Sequence, residues 1–194
     1  MRRFTVIMVM LVTLVGAAWG QDPQKKPMPP PPPDPAELPL APAGTVPASN
    51  ADLRPGDKAP DFRLDSSLGG TVRLADLKGH WSVLLFDEIR MKLAPLGAAG
   101  DSIRALGVRP YGVCPDGVSA LKSFASRDRI DFPLLSDPTR EISQLFGMYD
   151  DGNQTIQSGL VIVDAHGIVR MELQGSLLHA DEVLQILKHV LQGA

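Results

Sequence analysis

Cysteine is nearly absent: Cys114 is the only one in 194 residues. One thiol cannot form an intramolecular disulfide, run a two-cysteine redox cycle within the chain, or build a cysteine-type zinc site. Histidine is also scarce. His80, His166, His179 and His189 share no ligand spacing, so no metal site is expected. Charge of either sign is modest, with a net of −3 and no basic run, which argues against a nucleic-acid partner. The phosphate-cradling G-x-G-x-x-G and G-K-[ST] patterns are missing, and no serine sits in a nucleophile elbow. No cofactor is therefore expected. Disorder throughout the chain is excluded, because 44% of the residues are hydrophobic.

Proline is plentiful but unevenly placed. Eleven of the 25 residues from Pro23 to Pro47 are proline, and Pro29 to Pro33 is unbroken. Such a stretch makes no backbone ladder and favours polyproline II. At about 3.1 Å per residue it spans roughly 75 Å at most, so residues 21–52 are expected to be a disordered Pro-rich linker. It would serve as a tether, a docking site for a proline-binding groove, or a solubilising leader. Before it, Arg2 and Arg3 precede the uncharged apolar run Phe4–Val15, and Ala18 and Gly20 are small. This pattern predicts a signal peptide over residues 1–20, and hence an exported, periplasmic or extracellular protein. The chain would contact a membrane only if that segment stayed uncleaved. No cysteine follows the run, so a lipoprotein anchor is excluded. Asn153-Gln154-Thr155 is a formal glycosylation sequon, and outside a eukaryotic secretory pathway a polar turn.

Residues 53–194 hold only seven prolines and are long enough for one core. Phe62–Leu64 and Thr71–Leu74 flank Gly69-Gly70, a hairpin signal. Trp81–Phe86 is a near-continuous apolar run, as in a parallel strand covered on both faces. A weak helix over Leu96–Leu106 and a strand over Val108–Val113 follow. Asp116 is placed to cap a helix carrying Val118, Leu121 and Phe124 on one face. Phe132–Leu135 is short and extended. Asp137-Pro138 predicts a helix start, and Gly147 its end. Leu160–Val163, the turn Asp164–Gly167 and Ile168–Leu173 make a hairpin. Val183, Leu184, Leu187, Val190 and Leu191 mark a closing amphipathic helix. The expected fold class is α/β. A mixed central sheet is flanked by helices in thioredoxin-like order, with an N-terminal β-hairpin and a β-α insertion before the final hairpin.

Several phrases follow one another along the domain: Gly56-Asp57-Lys58-Ala59-Pro60-Asp61-Phe62, Gly70-Thr71-Val72-Arg73-Leu74, Leu77-Lys78-Gly79 and Gly112-Val113-Cys114-Pro115-Asp116. Phe132-Pro133-Leu134-Leu135-Ser136-Asp137-Pro138 and Val161-Ile162-Val163-Asp164 complete the set. In this order they resemble the alkyl hydroperoxide reductase and thiol-specific antioxidant (AhpC/TSA) branch of the peroxiredoxins. The resemblance implies a redoxin fold and thiol-dependent peroxide reduction, an antioxidant oxidoreductase activity. It does not carry the active site. The family's Pro-x-x-x-Thr-x-x-Cys, set against Val83–Phe86, places Glu88 at the proline, Lys92 at the threonine and Pro95 at the cysteine. The family's arginine falls at Ser158. No cysteine exists between Met1 and Val113 to restore the pattern.

Cys114 is thus the one candidate catalytic thiol. It ends a strand, and the carboxyl ends of strands line the functional crevice of open α/β sheets. The helix expected after Asp116 would lower its pKa modestly. A half-buried structural residue and an intermolecular disulfide remain as alternatives. Asp87, Glu88, Arg90 and Lys92 crowd the next strand end, either as a contact surface or as a solvated loop. These residues favour a non-catalytic interaction or scaffold module with an unidentified protein partner, or a homodimer. The alternative is a one-thiol oxidoreductase working through Cys114 with an external thiol reductant.

Overall fold

The computed structural model describes residues 53–175 and 179–193. The expected signal peptide and Pro-rich linker lie outside the described residues.

The first hairpin is β1 (Arg63–Ser66) with β2 (Thr71–Arg73), followed by the single turn α1 (Leu74–Leu77). The apolar run becomes β3 (Trp81–Phe86). After it come a 3-10 turn (Arg90–Leu93) and the short helices α2 (Ala94–Gly97) and α3 (Gly100–Ala105). Next are β4 (Val108–Cys114), α4 (Val118–Asp128), β5 (Leu134–Ser136) and α5 (Glu141–Leu145). A small hairpin, β6 (Tyr149–Asp150) with β7 (Thr155–Ile156), precedes β8 (Gly159–Val163), β9 (Val169–Gln174) and α6 (Ala180–Gln192). The main sheet has the order β2-β1-β5-β4-β3-β8-β9. β3, β4 and β5 run parallel, and β8 lies antiparallel to β3 and β9.

Alternation along β3 divides the core between the two faces of the sheet. Val83 and Leu85 pack with Leu93, Ile103, Leu121, Phe124 and Leu187. Leu84 and Phe86 pack with Phe62, Leu77, Phe146 and Val161. Pro110 sits opposite Val83 inside β4, a position where a missing N–H would normally break a ladder. Two residues on, the Gly112 N–H points to the Pro133 carbonyl at 3.0 Å, on the β5 side. Residue 110 faces that same side, and β5 begins only opposite Gly112, so no ladder bond is lost.

Three local expectations are corrected. The helix expected over Leu96–Leu106 is two pieces, with Gly97 and Gly100 marking close approach to the α4–β5 loop. A Cβ on Gly97 would come 3.0 Å from Ile130 Cγ1. The cap of α4 is Gly117 rather than Asp116, whose carboxylate is taken by Arg90. The next helix starts at Glu141 rather than Pro138, because Arg140 adopts a left-handed conformation (φ 59°) and re-aims the chain. Asp137 still serves that helix, accepting from the Ser143 N–H at 2.8 Å and the Ser143 hydroxyl at 2.7 Å. The polar turn at Asn153-Gln154 closes a real hairpin, held by Asp150 Oδ1 accepting from the Gly152 N–H at 2.9 Å.

Candidate functional site at the carboxyl ends of β3 and β4

Where β3 ends, two successive carboxylates turn in different directions. Asp87 is fully buried. Its Oδ1 accepts from the Ile89 N–H at 2.7 Å, and its Oδ2 accepts from the Ser158 hydroxyl at 2.6 Å. Lys92, on the 3-10 turn, donates from Nζ to Ser158 Oγ at 3.2 Å and lies 3.6 Å from Asp87 Oδ1. A carboxylate, a hydroxyl and an ammonium thus close on one another across 66 residues of sequence. The hydroxyl proton is committed to Asp87, and the half-exposed ammonium faces that same carboxylate. Neither group is arranged as a base–nucleophile pair.

Glu88 is held by a second set. Arg140 donates to it from Nε at 3.1 Å and Nη2 at 2.6 Å, a two-pronged grip. The Ile156 N–H donates to Oε2 at 2.8 Å. The Arg140 hydrogen bonds hold the Glu88 carboxyl below the usual carboxylate range, against partial burial, and the Ile156 amide adds to them. Arg140 reaches this position from its left-handed backbone, a conformation that disfavours any residue but glycine. On the 3-10 turn, Arg90 pairs with Asp116 and lies 5.8 Å over the Phe124 ring.

The sequence-nominated residues fall as follows. Lys92 and Ser158 meet directly, and Glu88 sits beside them in the loop between β3 and the 3-10 turn. Pro95 occupies the first turn of α2, a helix of only four residues. Cys114 is fully buried among the apolar residues of the core. The expectation of a lowered thiol pKa is corrected. Burial pushes the Cys114 thiol far up, the Asp116 and Asp87 carboxylates push the same way, and Arg90 opposes them. The following helix starts at Val118, too far along to outweigh desolvation. Sequence reasoning missed Arg140 and the Ile156 amide, which lie 52 and 68 residues from Glu88 and carry no local signal.

Residues 55–172 match the AhpC/TSA family. The chain belongs to that family. A Mycobacterium tuberculosis protein designated a peroxiredoxin is 33% identical over 105 residues, covering 51% of this chain and 67% of the relative. Among solved structures, Xanthomonas campestris peroxiredoxin Q matches with a TM-score of 0.62 and 25% identity, over 72% of this chain and 97% of that one. Enterococcus faecalis AhpC matches with a TM-score of 0.65 and 20% identity, over 72% of this chain and 93% of that one, a likeness of fold.

The Glu88–Arg140 pair of this AhpC/TSA chain should leave a pH signature. The Glu88 carboxyl is depressed in the folded state, so its stabilisation is complete above its ordinary value of 4.5. That stabilisation is lost as the pH falls through the lower, folded-state value. Wild type should exceed Glu88→Gln in stability by about 1 kcal/mol at pH 7. Urea titrations should show the gap closing below pH 4.5. A gap that widened on acidification would refute the pairing.

Proposed function

We propose that this AhpC/TSA-fold chain does not reduce peroxides by thiol chemistry and instead serves as an exported, non-catalytic interaction module. One observation carries the reading. The positions that the family resemblance assigns to peroxide chemistry are bound to one another or to the fold. Lys92 and Ser158 are tied to Asp87, Glu88 is gripped by Arg140, and Pro95 lies in the first turn of a four-residue helix. Peroxide reduction needs a thiolate open to solvent, with donors aimed at the peroxide oxygens. The one thiol here is buried and held protonated. The apolar run before Gln21 supports export. The Asp87–Lys92 loop is the contact surface for an unidentified protein partner.

The test is hydrogen peroxide and alkyl peroxide consumption by the full chain with dithiothreitol, beside Cys114→Ser. Equal, background rates in both proteins are expected. Thiol-dependent turnover lost in Cys114→Ser would overturn the reading and establish the one-thiol oxidoreductase. In parallel, iodoacetamide at pH 7 should leave Cys114 unlabelled in the folded chain and label it after unfolding in urea.

A further inference from the structure

Among the described residues, three large apolar side chains stand open to solvent, and two of them share one loop. Ile89 is 52% exposed and Met91 is 63% exposed. The loop is fixed on both sides of them. Asp87 holds the Ile89 N–H, Arg90 is paired with Asp116, and Lys92 is tied to Ser158. The exposure of Met91 is therefore imposed by the fold. The other described sulfurs are less open: Met148 and Cys114 are fully buried, and Met171 is partly buried against the core.

We propose that Met91 is an oxidant-reactive modification site whose sulfoxide switches this surface from apolar to polar. The step is a two-electron oxygen transfer from a peroxide. The thioether sulfur attacks the distal peroxide oxygen, the O–O bond breaks and an S–O bond forms. The proton on the transferred oxygen moves to the departing oxygen, which leaves as water or an alcohol. The thioether is oxidised and the peroxide is reduced, so no thiol takes part.

The surroundings suit the product. Met91 lines a cavity of about 390 Å³ together with the charged pairs Arg90–Asp116 and Arg140–Glu88. A sulfoxide oxygen is a strong acceptor, whereas the thioether it replaces is a weak one. Oxidation thus adds a polar acceptor beside charged side chains and removes half of the exposed apolar pair. The consequence for partner contact rests on reading the Asp87–Lys92 loop as the contact surface, whereas the oxidation itself does not.

The experiment treats the full chain with hydrogen peroxide without reductant and follows each methionine by peptide mass spectrometry. Met91 should gain one oxygen at least about tenfold faster than Met148 or Met171, with Cys114 unmodified. Oxidised wild type should elute earlier from a hydrophobic-interaction column. Methionine sulfoxide reductase should restore its elution, and Met91→Leu should not show the Met91-dependent part of the shift. Oxidation of Met148 or Cys114 as fast as Met91 would overturn the site. An identical elution shift in Met91→Leu would overturn the switch. Either failure is distinct from failure of the non-catalytic reading, whose mark is catalytic turnover dependent on dithiothreitol and Cys114.

Discussion

Asp87→Ala should destabilise the domain by about 3 kcal/mol, because it orphans two donors at once. The Ile89 N–H and the Ser158 hydroxyl both rely on the buried Asp87 carboxylate. Each unmatched donor costs about 1–3 kcal/mol when water cannot replace the acceptor. Lys92 contributes less. Its side chain is 53% exposed and sits 3.6 Å from the carboxylate, so solvent screens the pair. Lys92→Met should therefore cost about 0.5 kcal/mol or less. Asp87→Asn keeps one acceptor oxygen and should fall between the two. Urea unfolding of the three variants gives the ranking directly. If Lys92→Met were as harmful as Asp87→Ala, the ion pair rather than the buried hydrogen bonds would hold the loop. The same variants test the link to function. A loop released by Asp87→Ala no longer presents Ile89 and Met91 in a fixed geometry, even if the rest of the sheet survives.

Much of this architecture was legible in the sequence, for reasons that differ by element. Trp81–Phe86 announced itself as a central strand because burial on both faces leaves no room for polar alternation. The hairpin from β8 to β9 was legible because Asp164–Gly167 is a turn with its own chemistry. Asp164 Oδ1 accepts from the His166 N–H at 2.8 Å and the Ile168 N–H at 3.0 Å. Helix starts were harder. Asp116 and Asp137 both looked like caps, since a short acidic side chain before a helix is the usual signal. Tertiary partners claimed them differently. Arg90 took Asp116 from 26 residues away, while Asp137 reached forward six residues to Ser143. The candidate site was legible in part. The family's active-site pattern, set on this chain, pointed to Lys92 and Ser158 as altered positions, and the fold brings the two together. Arg140 was not legible. Its role follows from a left-handed backbone that local sequence does not demand, and from a carboxylate 52 residues away. The half-buried structural reading of Cys114 fell short of its full burial, because a strand end opens to solvent or closes according to what packs over it.

Gly159→Ala is expected to be the more damaging of two glycine substitutions that look alike on paper. Gly159 begins β8, opposite Phe86 on one side and Gln174 on the other. A Cβ there would run into the Leu173 carbonyl oxygen, with Met148 Sδ at 3.0 Å and Gln174 Cα at 3.2 Å. Two of these three atoms are backbone of β9, so relief requires strand separation. The neighbouring ladder bond from the Gly175 N–H to the Ser158 carbonyl, 2.9 Å, would loosen with it. Gly112→Ala in β4 is also crowded, but by Leu134 Cδ2 at 2.6 Å and Leu93 Cδ1 at 2.8 Å, the free ends of two side chains. Rotamer changes absorb that contact at about 1–2 kcal/mol. Gly159→Ala should cost about 3 kcal/mol or more, lowering Tm by about 10 °C in a domain of this size. It should also disturb the site, because Ser158 is the adjacent residue and its hydroxyl reaches Asp87 only if β8 keeps its place. Thermal melts of the two variants decide the matter. Equal losses would mean that β9 yields as easily as a leucine side chain. A larger loss for Gly159→Ala would make the β8–β9 backbone the rigid wall against which the Asp87, Lys92 and Ser158 cluster is set.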